Sequence, residues 1–95
     1  MTRVRFALDA PQAKSVQLVG DFTEWEANPR PMRRNKAGAP FVATLPLPPG
    51  TYEYKFLVDG EWVEDPCAPS VQNRFGTRNS QVVVTVEEKK APRRR

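Results

Sequence analysis

No histidine occurs among the 95 residues, so neither a Ser-His-Asp nor a Cys-His nucleophile can be built, and the commonest zinc ligand is missing. No metal or cofactor is expected. The lone cysteine, Cys67, stands in a proline-bounded loop without a histidine to lower its pKa, and reads as an incidental thiol. Glu61, Glu64 and Asp65 are close enough in sequence to suggest paired-carboxylate chemistry on a glycoside, but that reaction needs a cleft that encloses the sugar, which a domain this small seldom offers. Gly60 and Gly76 stand alone and form no phosphate-cradling loop. The chain is not expected to be an enzyme. What remains is aromatic surface, Trp25 and Trp62, with Lys55 and Asn79 as polar companions. A pyranose presents axial C–H groups on one face and hydroxyls at its rim, so an indole matches the face while a lysine or an amide bonds the rim. The other reading of each tryptophan is a cover over the end of a small β core. Spacing alone leaves both open.

The element that must present Trp62 and Lys55 is a hairpin. Tyr52, Tyr54, Phe56 and Val58 alternate with Glu53, Lys55, Leu57 and Asp59, the period of a strand buried on one face. Asp59-Gly60 then suits a two-residue type I′ turn, which predicts the pairs Val58 with Glu61, Leu57 with Trp62, Phe56 with Val63 and Lys55 with Glu64. Paired residues share a face, so Tyr54, Phe56 and Val63 point to a core. Lys55, Leu57, Trp62 and Glu64 share the outer side.

Other strands follow the same alternation. Residues 2–9 set Val4, Phe6 and Leu8 against Arg3, Arg5 and Ala7; residues 14–19 point Val16 and Leu18 inward; residues 41–47 align Phe41, Ala43 and Leu45; residues 79–87 align Val82, Val84 and Val86. Between them, residues 23–40 carry Asn28-Pro29, Pro31, Asn35, Gly38 and Pro40 and read as irregular chain with a short strand near residues 32–34. Pro48-Pro49-Gly50 reads as a tight turn with Pro49 and Gly50 at its centre, and residues 65–78 as a second long loop. Six or seven short strands without a helix or repeat predict an all-β chain, an immunoglobulin-like antiparallel β-sandwich, with a small closed barrel as the alternative.

Charge and hydropathy bound the partners. Of fifteen basic residues, Lys89, Lys90, Arg93, Arg94 and Arg95 crowd the end, leaving ten against eleven acidic ones over residues 1–88. The expectation is a nearly neutral domain, 1–88, and a basic, disordered tail, 89–95, rather than a nucleic-acid surface. No apolar run reaches the ~18 residues of a membrane span, and the N-terminus lacks a signal-peptide stretch. A single cysteine agrees with a reducing compartment, so the expected location is cytoplasmic.

Several runs together carry a resemblance: Val16 through Trp25 (VQLVGDFTEW), Pro31-Met32, Leu47 through Trp62 (LPPGTYEYKFLVDGEW), Asp65-Pro66, and Phe75 through Asn79 (FGTRN). In this order and spacing, over about residues 14–86, they resemble family 48 carbohydrate-binding modules. These comprise the glycogen-binding domains of AMP-activated protein kinase beta subunits and the early-set domains of isoamylases and branching enzymes. The resemblance implies an early-set sandwich that binds α-1,4-glucan, glycogen or starch, without catalysis. It implies stacking by Trp25 and Trp62, hydroxyl contacts from Lys55 and Asn79 with Thr77 as a further bonding group, and Phe75 as the loop residue that wedges into the glucan curve. Phe75 stands where the kinase modules typically have leucine, and Thr23 where they commonly have asparagine. A second reading is a sandwich that docks on a glycogen-metabolising enzyme or a kinase, with weak or no sugar binding.

Overall fold

The computed structural model describes residues 2–85. Eight strands follow in order: β1 (Thr2–Leu8), β2 (Val16–Gly20), β3 (Arg30–Pro31), β4 (Phe41–Leu47), β5 (Gly50–Val58), β6 (Glu61–Val63), β7 (Ser70–Gln72) and β8 (Arg78–Val84). The expected inward Val86 and the 89–95 tail, with the domain boundary before it, lie outside the described residues.

Two antiparallel sheets face each other. The smaller pairs β1 with β4, from Thr2 against Leu47 to Leu8 against Phe41. The larger runs β3-β2-β5-β8-β7, with β6 also on β5. One edge of β5 pairs with β2, while the other is divided: its first half takes β8 and its end takes β6. Phe6, Leu8, Phe41, Leu45 and Leu47 from the small sheet bury against Val16, Leu18, Tyr54, Phe56 and Val84 from the large one. These are the inward positions of the alternation. The arrangement is the immunoglobulin-like sandwich, not a closed barrel: no strand of one sheet pairs with a strand of the other among the described residues, and the one isolated bridge, Arg33 to Val42, ties β4 to the chain just after β3. Among the described residues no helix is long and apolar enough to cross a membrane.

The hairpin register is the expected one. Val58 pairs with Glu61, Leu57 with Trp62 and Phe56 with Val63. Asp59 and Gly60 take φ of 48° and 87°, the left-handed pair that a type I′ turn demands and that glycine adopts without a Cβ penalty. Asp59 also reaches across: its carboxylate accepts from the Ser15 backbone N–H first and then from that of Lys14, which holds it below the ordinary aspartate range.

Four expectations need correction. The short strand lies at Arg30–Pro31, ahead of residues 32–34, because Pro31 has no N–H to lose on an outer strand while Met32 turns into the core and donates to the Val16 carbonyl. The 65–78 loop contains β7, whose three residues are too few to show alternation but pair with β8 through Val71 and Asn79. Residues 21–23 and 25–27 form two short 3₁₀ turns, the first leading into the stretch expected to be irregular and the second inside it. Pro48 and Pro49 carry the chain from one sheet to the other, with Gly50 already in β5, and the Tyr52 hydroxyl donates to the Pro48 carbonyl.

The core holds one buried polar contact that anchors the second loop. Tyr54 packs edge-on against Phe6 and Phe56, and its hydroxyl donates to Asp65 Oδ2 at 2.6 Å. The Asp65 N–H in turn donates to the fully buried Ser80 Oγ at 2.7 Å. Burial first, and then the Asp65 bond, push the Tyr54 hydroxyl well above the usual tyrosine range.

Candidate functional site

Trp25, Lys55, Trp62, Phe75, Thr77 and Asn79 all line one open groove of about 910 Å³ on the outer face of the large sheet. Four structural units deliver them: the turn after β2, the outward side of β5, the hairpin strand β6, and the 73–77 loop running into β8.

Trp25 is held by its turn. Glu24 and Trp25 both take left-handed φ, 54° and 55°, which costs a residue with a Cβ about 1–2 kcal/mol each. The buried Thr23 offsets that cost. Its hydroxyl accepts from the Gly20 N–H at 2.9 Å and lies 3.0 Å from the carbonyls of both Gly20 and Trp25. Thr23 thus builds the turn and is not an open groove contact. Gly20 permits the approach: a Cβ there would stand 2.6 Å from the Glu53 carbonyl oxygen. The indole Nε1 donates to Asp21 Oδ1 at 3.2 Å, and Asp21 Oδ2 accepts from the Glu53 N–H at 2.8 Å. Trp25 is therefore half-buried with its ring edge tethered to β5. Val19, on the outward side of β2, is fully buried as well, so this part of the outer face is covered.

Trp62 follows from the hairpin register. It projects on the outer face at 45% exposure, directly across from Leu57 and 6.0 Å in ring centroid from Lys55 Nζ. That geometry is a weak cation–π contact, one that places the ammonium near the ring without enclosing it. Trp62 does not cover the core; Val63, its neighbour, packs there instead.

The third wall is a short loop. Phe75 is 82% exposed at its tip. Asn73 fills the inside: its Oδ1 accepts from the Phe75 and Thr77 N–H groups at 2.9 and 3.2 Å, and its Nδ2 donates to Thr77 Oγ1 at 2.7 Å. Asn73 Nδ2 also donates to Asn79 Oδ1 at 3.2 Å, and Asn79 Nδ2 donates to Glu53 Oε1 at 2.9 Å. Asn79 is thus a buried floor residue, 5% exposed, held at its oxygen by Asn73 and at its nitrogen by Glu53.

Asp21, Glu53 and Asn73 escaped the sequence reading although all three line the groove. Glu53 had a signal: it shares the outward side of β5 with Lys55 two residues on. Asn73 stands three residues before Gly76 and marks a turn. Asp21 carries no signal beyond following Gly20.

Residues 3–91 match the family model described as the glycogen recognition site of AMP-activated protein kinase. Over 71 residues, 75% of this chain, the sequence is 44% identical to 5'-AMP-activated protein kinase subunit beta-1 of Sus scrofa, covering 55% of that relative. Over the same length it is 42% identical to the Homo sapiens subunit beta-1, covering 25% of it. The chain therefore spans between a quarter and about half the length of these relatives. Among solved structures it resembles the maltogenic amylase from S. marinus, with a TM-score of 0.68 and 28% identity over 92% of this chain and 14% of the amylase. It also resembles the pullulanase from Paenibacillus barengoltzii, with a TM-score of 0.53 and 30% identity over 82% of this chain and 13% of that enzyme.

Proposed function

Because the chain belongs to the family of the glycogen recognition site of AMP-activated protein kinase, we propose that its groove binds α-1,4-glucan, as glycogen, starch or a maltooligosaccharide, and catalyses nothing. Trp25 and Trp62 carry the apolar faces of successive glucose rings. Lys55, Asn79 and Thr77 bond their hydroxyls, and Phe75 reaches into the curve of the glucan. The observation that carries this reading is the convergence of all six side chains on one groove from four separate units of the fold.

The chemistry favours a neutral sugar over other partners. Exposed aromatic faces beside amide and ammonium donors match a pyranose, while the carboxylates of Asp21, Glu26 and Glu53 outnumber Lys55 and Arg74 in the same groove and leave it without the positive field that a phosphate backbone or an anionic membrane needs. The solved neighbours, an amylase and a pullulanase, bear names that point to the same class of polymer. A free, exposed Cys67 fits a reducing, cytoplasmic setting.

Glycogen co-sedimentation tests the reading. The intact chain is expected to pellet with glycogen and to be released by excess maltoheptaose. A protein that stays in the supernatant at saturating glycogen overturns it.

A further inference from the structure

The hydrogen bonds under the groove form one chain whose polarity is fixed at both ends. At one end are the backbone N–H groups of Phe75 and Thr77, which can only donate, so the Asn73 atom facing them is its oxygen. At the other end is the Glu53 carboxylate, which as an anion can only accept, so the Asn79 atom facing it is its nitrogen. Between these ends Asn73 Nδ2 faces Thr77 Oγ1 at 2.7 Å and Asn79 Oδ1 at 3.2 Å, and both must accept. Neither amide can be reversed without breaking a bond at one end.

From this chain we infer that Asn73 is a positioning residue that sets the hydrogen-bond polarity of the site, making Thr77 and Asn79 donors toward the glucan. The inference rests on the glucan reading of the groove. Thr77 Oγ1 accepts from Asn73, which leaves its own hydrogen to be given outward. Asn79 spends its oxygen on Asn73 and one amide hydrogen on Glu53, which leaves the second amide hydrogen. Lys55 adds an ammonium, which has donors only. At Thr77, Asn79 and Lys55 the groove therefore presents donors that take sugar oxygens as acceptors, and it does so before any ligand arrives. Asn73 further ties the exposed Phe75 to the same frame through the Phe75 N–H. One side chain thus couples the wedge residue to two hydrogen-bonding residues.

The variant that isolates this role is Asn73→Asp. Its carboxylate still accepts from the Phe75 and Thr77 N–H groups, so the loop is retained, but it cannot donate. Thr77 then turns its hydroxyl hydrogen inward to the new charge, while Asn79, its nitrogen held by Glu53, is left with its oxygen against that charge and is pushed out of place, so one donor is withdrawn from the groove and the other displaced. Calorimetry with maltoheptaose on the intact chain, at neutral pH, is expected to show about tenfold weaker binding than wild type with unfolding still cooperative and the melting temperature lowered only by several degrees, because both backbone bonds of the loop are kept. Protonating the introduced carboxylate restores a donor, so in a Glu53→Gln background, where the group facing Asn79 does not titrate, the ratio to the matching parent should recover as pH falls toward about 4. In a Thr77→Val background the same substitution should cost distinctly less, because one of its two targets is already gone. Wild-type affinity in Asn73→Asp at neutral pH would overturn the inference and leave the glucan reading intact. A loss that stays constant with pH, or is equal with and without Thr77, would also overturn it. Failure of the wild type itself to bind maltoheptaose would remove the glucan reading and this inference together.

Discussion

Replacing Thr23 by valine asks how the Trp25 platform is held. The substitution keeps the buried volume but removes a hydroxyl that accepts from the Gly20 N–H and lies 3.0 Å from the carbonyls of Gly20 and Trp25. Leaving the buried Gly20 donor without a partner costs about 1–3 kcal/mol. The same hydroxyl helps hold Glu24 and Trp25 left-handed, a conformation that costs about 1–2 kcal/mol per residue, so the turn gains from relaxing once it is gone. The unfolding free energy is therefore expected to fall by about 2 kcal/mol, read by urea denaturation followed by tryptophan fluorescence. Glucan affinity should fall as well, by about tenfold, since only the fraction of molecules that still presents Trp25 is competent. Thr23→Ser retains the oxygen and should lose less than half as much in both assays. A stability loss below about 0.5 kcal/mol with undiminished binding would refute the role assigned to Thr23.

Three further expectations follow from other parts of the fold. Gly20→Ala places a methyl group 2.6 Å from the Glu53 carbonyl oxygen and 2.8 Å from Tyr54 Cβ, and should destabilise by about 1–3 kcal/mol in the same denaturation assay. The Tyr54 hydroxyl stays neutral in the folded protein at pH values where an unfolded tyrosine ionises, so the unfolded state releases the proton first. Stability should hold up to about pH 10 and then fall by up to about 1.4 kcal/mol per pH unit, a slope that Tyr54→Phe should flatten. Phe75→Ala, at an exposed loop tip, should change stability by less than about 0.5 kcal/mol while weakening maltoheptaose binding several-fold by calorimetry.

Alternation and one dipeptide made most of the sandwich legible. Tyr54 and Phe56 alternate cleanly, and Asp59-Gly60 dictates a two-residue turn, so the side to which Trp62 points could be read before any coordinates. The same logic carried β1 and β4, whose inward residues are the buried ones. Strand β7 was hidden because three residues give no period, and its pairing depends on β8 arriving from eight residues away. The site divides along the same line. Lys55 and Trp62 could be placed by register, whereas Trp25 and Asn79 were singled out by residue type with no register to place them, and Phe75 and Thr77 came only through resemblance. Their positions depend on side chain to backbone bonds made by Thr23, Asp21 and Asn73, and such bonds leave no periodic trace in a sequence.

The central claim is that two indoles carry the glucan. Titrating β-cyclodextrin into the wild type and into the Trp25→Ala/Trp62→Ala double variant, by calorimetry, tests it most directly. The wild type is expected to bind in the micromolar to millimolar range, about −4 to −8 kcal/mol, as suits a few stacked sugars on an open face. The double variant, with its core residues untouched, is expected to give no binding heat while still unfolding cooperatively. Equal binding by the two proteins would contradict the claim.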